Sequence, residues 1–317
     1  MLALLFPGQG SQEVGMGRDA FEGSRAAREV FEQADAALGF ALSKLCFEGP
    51  EEELRLTQNQ QPAILTTSIA LLRALQETGP VAPDFVAGHS LGEYSALVAA
   101  GALSFEDAVR LVHARGRYMQ EAVAEGRGAM VAVMGCSAEV VVQACEEAAL
   151  STDRPVTPAN FNAPQQTVIA GDAVAVEVAG SRARELGAKR AVPLPVSAPF
   201  HCELMIPAAD KLALELQRVS FRDAEPPVVT NVEATPNASA KRMPELLEAQ
   251  VTAPVRFTEM VASLRSLGVT HYLEIGPGRV LSGLVARIER RTQRAGLSTF
   301  SEIDVARSFV SESGFRG

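Results

Sequence analysis

The stretch Phe85-Val86-Ala87-Gly88-His89-Ser90-Leu91-Gly92-Glu93-Tyr94 constrains the fold more than any other. A short apolar run meets a serine flanked by glycines, and an apolar helical stretch follows to about Ala100, stopped by Gly101. Gly101 suits the left-handed position just past a helix, where a Cβ is penalised. Gly88-His89-Ser90-Leu91-Gly92 has the G-x-S-x-G spacing of a nucleophile elbow. At such a bend strand and helix approach too closely for side chains, so glycine is needed on both sides. The bend lifts the Ser90 hydroxyl to the helix N-terminus, where free N–H groups and the helix dipole favour a developing oxyanion. A plain Gly-Ser turn before an ordinary helix is the competing reading, and the strand–turn–helix context favours the elbow.

The chain has 317 residues, room for one large domain or two smaller ones, and 47% hydrophobic residues support a sizeable core. With no Trp and three Tyr, stacking platforms for single-stranded nucleic acid are scarce. A net charge of −9 and a pI near 5.1 argue against nucleic acid or an anionic membrane as the main partner. Cys46, Cys136, Cys145 and Cys202 lack metal-ligand or disulfide spacing and read as reduced thiols. The apolar run Leu2–Phe6 has no basic flank and is too short for a signal segment, and no stretch approaches a membrane span. The expectation is a soluble cytoplasmic protein without a metal site.

Leu2–Phe6 is continuously apolar, as in a strand buried on both faces. Pro7-Gly8-Gln9-Gly10-Ser11-Gln12 ends it, either as a plain turn or as a loop whose backbone approaches a ligand. Sites in parallel sheets assemble at strand carboxyl ends, which puts Gln9 beside Ser90. Residues 17–56 have helical patterning, with the acidic run Glu51–Glu53 at the surface. A helix is predicted with Pro62 at its start, an apolar face from Ile64 to Leu75, and Gly79-Pro80 as its stop. The next helix opens at Ser104 with Asp107 three residues on. Ala108, Leu111, Val112, Arg115, Tyr118 and Met119 share one stripe of it. Arg115 therefore sits among apolar residues and needs an anionic partner. An internal carboxylate or a substrate carboxylate, gripped by two parallel hydrogen bonds, would serve.

Residues 128–197 read as a separate unit: strands at 129–134, 156–160, 166–170 and 190–196, with helices at 138–149 and 174–186. The order βαββαβ suits a ferredoxin-like domain, inserted into an α/β domain made of residues 1–127 and 198–317. Ser197-Ala198-Pro199-Phe200-His201 returns the chain to the larger domain, where a cleft should form. His201 thus ranks ahead of His113, within a helix, and His271, within a strand, as a base for Ser90. His89 adjoins Ser90, but an elbow points neighbouring side chains apart. A helix at roughly 203–217, a strand at 228–232, helices at 244–251 and 254–267, a strand at 272–275 and a helix from about Val280 complete the domain. Arg287, Arg290, Arg291 and Arg294 form its one basic cluster, read as a solvated helix C-terminus, and residues 295–317 as a loose tail.

Phe6-Pro7-Gly8-Gln9-Gly10-Ser11-Gln12, Gly88-His89-Ser90-Leu91-Gly92-Glu93-Tyr94, Arg115-Gly116 with Met119-Gln120, Pro199-Phe200-His201 and Glu274-Ile275-Gly276-Pro277-Gly278 occur in order over about residues 3–290. Together they resemble the malonyl-CoA:acyl carrier protein transacylases of type II fatty acid synthesis. That family has a hydrolase-like α/β domain carrying a ferredoxin-like insertion. The resemblance implies Ser90 as nucleophile, His201 as its base, and backbone N–H groups of Gln9 and Leu91 as the oxyanion hole. It implies Arg115 as the holder of the malonyl carboxylate and Gln250 as a main-chain support for His201, a Ser–His pair without an Asp. It implies malonyl-CoA and acyl carrier protein as partners, no cofactor, and ping-pong transfer through a malonyl-serine ester. Phe200 stands where some relatives have a small residue, and should narrow the acyl pocket. An acidic carrier protein needs a local basic patch, for which Lys189, Arg190, Arg279 and Arg287 are the candidates. A polyketide-pathway acyltransferase, a serine thioesterase or hydrolase, and a non-catalytic binding subunit remain the competing readings.

Overall fold

The structure, a computed structural model, describes residues 1–196 and 198–314. Ser197 and the end of the predicted tail lie outside the described residues. Ten strands follow in chain order: β1 (Leu2–Phe6), β2 (Phe85–Gly88), β3 (Gly128–Met134), β4 (Val156–Ala163), β5 (Gln166–Asp172), β6 (Arg190–Pro193), β7 (Val228–Val229), β8 (Pro236–Asn237), β9 (His271–Ile275) and β10 (Gln293–Leu297). The larger sheet has the order β10-β9-β1-β2-β7-β8, parallel except for β8. The smaller has the order β4-β5-β3-β6, antiparallel throughout, with two helices against one face. This is the ferredoxin-like order expected from βαββαβ.

Strand β1 explains its own sequence. Leu2, Leu4 and Phe6 join the core formed with the helices Thr57–Glu77 and Phe105–Glu121, while Ala3 and Leu5 join the opposite core with Phe257, Met260 and Leu281. Side chains alternate across a strand, so a run covered on both faces must be apolar at every position. The small sheet has its own apolar cluster, including Val131, Val133, Ile169 and Val176.

The two sheets are joined through backbone. Val255 donates its N–H to the Ala159 carbonyl at 2.9 Å and accepts from the Phe161 N–H at 2.9 Å, extending the free edge of β4. This pairing delays the next helix, which starts at Phe257 and not at the expected 254. Strand β7 ends at Val229, short of the expected 232, because Asn231 turns into the elbow. Pro62 lies inside its helix, which begins at Thr57: the proline removes one backbone donor in the second turn and the helix absorbs it. The described part of the predicted tail, residues 295–314, is not loose. Leu297 ends β10, which pairs with β9, and the helix Ile303–Glu312 buries Ile303, Ala306 and Val310. A short edge strand reading Gln-Arg-Ala-Gly-Leu carries no apolar alternation to announce it.

The elbow is held by backbone contact. A Cβ on Gly88 would lie 2.0 Å from the Gly92 carbonyl, and one on Gly92 would lie 2.0 Å from the Phe6 carbonyl oxygen. No rotamer relieves a clash against main chain. Gly92→Ala is expected to destabilise the fold by about 3 kcal/mol, read as a lowered urea midpoint. An unchanged midpoint would contradict this contact.

Candidate active site

Ser90 occupies the left-handed region at φ 52, and the Asn231 side chain locks it there. Asn231 accepts the Ser90 N–H at its Oδ1, 2.6 Å away, and donates from Nδ2 to the Gly88 carbonyl at 2.7 Å. The Ser90 N–H is thereby spent, whereas among the described residues the backbone N–H groups of Gln9 and Leu91 have no partner. The Gln9 side chain donates to Gln60 Oε1.

The Ser90 Oγ lies 2.8 Å from His201 Nε2. His201, also left-handed at φ 61, has its Nδ1 at 2.8 Å from the Gln250 carbonyl and 3.1 Å from the Ala253 carbonyl. Both carbonyls can only accept, so Nδ1 carries the proton, Nε2 is bare, and Nε2 accepts the serine O–H. Among the described residues no carboxylate bonds the ring. Burial, with the Arg115 charge second, lowers the His201 pKa to about 3, so the imidazole is neutral at physiological pH.

Arg115 is 1% exposed. Its Nη1 donates to Gln61 Oε1 at 2.7 Å, and its Nη2 to Gln250 Oε1 at 3.0 Å and to Ser90 Oγ at 3.1 Å. Among the described residues its Nε has no hydrogen-bond partner. The internal carboxylate that the apolar stripe called for is absent from these bonds: all three acceptors are neutral. Burial lowers the guanidinium pKa from its ordinary value. Beneath this layer lies Glu93, 2% exposed, whose Oε2 accepts from Gln250 Nε2 at 2.6 Å and from the Asn231 N–H at 3.1 Å. Burial is the main cause that raises its pKa to about 7.

A cavity of about 590 Å³ opens onto Ser90 and His201, walled by Gln9, Met130, Leu194 and Phe200. Arg115 sits behind Ser90, not in that wall. His89 bonds Asn162 on β4 at 2.8 Å and does not reach Ser90 as a base. His113 is half-buried beside Phe40, and the His271 ring packs against Phe309 at the far side of the sheet. Lys189 and Arg190 are exposed at the start of β6. Arg279 is paired with Glu302, and Arg287 donates to Gln166 on the small sheet. Of the basic cluster, Arg294 belongs to β10 and bonds Thr292.

Of the expected residues, Ser90, His201, Gln9 and Phe200 line the cavity, Arg115 and Gln250 are bonded to Ser90 and His201 behind it, and Leu91 follows Ser90 in the buried elbow. Glu93, Asn231, Gln61 and Ala253 were not foreseen. Only Glu93 left a signal, as the one carboxylate in the apolar helix Gly92–Ala99.

A family model for the acyl transferase domain matches residues 3–299. The chain belongs to the acyl transferase family. It is 51% identical over 305 residues to the malonyl CoA-acyl carrier protein transacylase of Bacillus subtilis, covering 96% of each. It is 51% identical over 286 residues to the protein of that name from Escherichia coli K12, covering 90% of this chain and 92% of the other. Among solved structures, a malonyl-transacylase in complex with a type II PKS acyl-carrier protein superposes with a TM-score of 0.94 at 47% identity, covering 97% and 99% of the two chains. An acyl carrier protein S-malonyltransferase from Vibrio cholerae gives 0.93 at 44% identity, covering 96% and 99%. This acyl transferase thus shares the two-sheet architecture of those structures. Among its described residues no helix is long and apolar enough to cross a membrane.

The folded pKa of His201 lies below its ordinary 6.5, so the neutral ring is retained on acidification. Stability is lost as pH falls from 6.5 toward 3, at about 1.4 kcal/mol per pH unit for this group. Nitrogen NMR at about pH 5 is expected to find His201 neutral with the proton on Nδ1, assigned by its loss in His201→Gln. An imidazolium at that pH would overturn the assignment.

Proposed function

We propose that this acyl transferase moves the malonyl group from malonyl-CoA to the phosphopantetheine thiol of acyl carrier protein through a malonyl ester of Ser90. The observation that carries the reading is the buried Arg115 guanidinium, bonded to the nucleophile's own oxygen and otherwise held by neutral acceptors. Any acyl group esterified to Ser90 is tethered beside Nη2, which already bonds Ser90 Oγ. A distal carboxylate supplies the charge that the fold withholds.

His201 Nε2 takes the Ser90 proton as Oγ attacks the thioester carbonyl. The Gln9 and Leu91 N–H groups receive the oxyanion, each worth about 3–4 kcal/mol. The C–S bond breaks, and the proton passes from Nε2 to the departing CoA sulfur. The carrier thiol then gives its proton to His201, its sulfur attacks the ester, and the C–Oγ bond breaks with the proton returned to Ser90. The Gln250 and Ala253 carbonyls stabilise the transient imidazolium that a carboxylate serves elsewhere. A malonyl carboxylate on Arg115 also cancels the neighbouring charge that lowers the His201 pKa, which strengthens the base when substrate is in place.

Residues 128–197 act in this reading as an inserted domain within the catalytic domain 1–127 and 198–317, with Phe200 narrowing the cavity where the two meet. Lys189, Arg190 and Arg287 form the patch for an acidic carrier protein; Arg279 contributes less because Glu302 neutralises it. The reaction needs no cofactor and belongs to cytoplasmic fatty acid biosynthesis. The relative in complex with a PKS carrier protein favours a second reading, service to a polyketide carrier, separable by offering both carriers.

Intact-protein mass after brief mixing with malonyl-CoA is expected to rise by one malonyl group, and not in Ser90→Ala. Release of CoA without an adduct and without carrier protein would favour a hydrolase. Arg115→Ala should lower malonyl over acetyl selectivity by about a hundredfold or more, measured as the ratio of kcat/KM values. An unchanged ratio would remove Arg115 from acyl recognition.

A further inference from the structure

The Gln250 side chain can sit in its slot in either of two orientations, related by a flip that exchanges its oxygen and nitrogen. Only one leaves the oxygen facing Arg115 Nη2, at 3.0 Å. In that orientation Nε2 donates to the Ser90 carbonyl at 3.0 Å and to Glu93 Oε2 at 2.6 Å. The flipped amide would set its oxygen against both of these acceptors and its N–H groups against the guanidinium, which cannot accept. The Ser90 carbonyl is shared, since it also takes the Glu93 N–H at 3.1 Å. Glu93 Oε2 is the closer of the two acceptors. Gln250 is fully buried, so no water replaces a lost partner without rearrangement.

We infer that Glu93 is a positioning residue for acyl-group selection: by fixing the orientation of the Gln250 amide it holds the Arg115 fork where a substrate carboxylate meets it. The inference rests on the proposed reading of Arg115. Glu93 touches neither cavity nor substrate and acts through Gln250. Its second bond, from the Asn231 N–H, ties the same carboxylate to the residue that locks Ser90. One buried side chain thereby references both the nucleophile and the selectivity arginine.

The test is a double-mutant cycle read as the ratio of kcat/KM for malonyl-CoA to that for acetyl-CoA. Glu93→Met, similar in size and without an acceptor, is expected to lower the ratio by about ten- to a hundredfold, the loss falling on malonyl-CoA. Glu93→Gln, which can turn an oxygen toward Gln250 Nε2, should recover most of it. In a Gln250→Met background, Glu93→Met should lower the ratio little further, because its intermediary is gone. Glu93→Leu serves as a second acceptor-free variant should Glu93→Met not fold. A ratio equal to wild type in the folded acceptor-free variant, or a loss of equal size in the Gln250→Met background, overturns the inference. A merely structural role would lower both substrates' kcat/KM together. If the unaltered protein itself forms no malonyl adduct or shows no preference, the proposed function fails instead, and the cycle reports that separately.

Discussion

Arg115 is a positive charge sealed inside the fold, and among the described residues no carboxylate is bonded to it. Burying an unpaired charge is among the more costly things a fold does, and a pair broken on one side costs about 3–5 kcal/mol. Here the charge is met by three neutral dipoles, by the Tyr94 ring at 5.7 Å, and by Glu93 one layer away through Gln250. The arrangement leaves the guanidinium without a bonded ionic partner among the described residues. Much of the surrounding polar interior exists to hold it there: Gln61 on one side, Gln250 on the other, and Glu93 behind.

The same charge adds to the burial that sets the character of His201. A carboxylate beside the imidazole would raise its pKa, and the dry surroundings, with the positive neighbour second, do the reverse. Two carbonyls replace the carboxylate, giving orientation and tautomer without a formal charge. In the proposed reading, a weak resting base suits a substrate that brings its own negative charge. Ser90, His201 and Arg115 then form one electrostatic unit.

The parts of this site that obey local rules were legible in the sequence. Gly88 and Gly92 bracket Ser90 because main chain contacts main chain there, and Arg115 stood out on its helical stripe. His201 followed from its place at the return from the insertion. The polar layer beneath was hidden. Glu93, Asn231 and Gln250 come together from positions 138 and 157 residues apart along the chain, and a glutamate on a helix looks the same whether it faces solvent or core. Pro62 misled because proline is usual at helix starts, whereas this helix tolerates it within. The C-terminal strand escaped because an edge position asks little of its five residues.

The pairing of Val255 with β4 bears on how such a protein can change over time. The segment that completes the edge of the small sheet runs directly on from Ala253, whose carbonyl seats His201. His89, next to Ser90, is anchored to Asn162 on the same strand. The insertion is therefore a keystone rather than an ornament: its outer strand serves as the ruler from which serine and histidine are both measured. Loops at the distal end of that sheet are free to drift or lengthen across descendants, but the length of β4 and its spacing to Val255 are not.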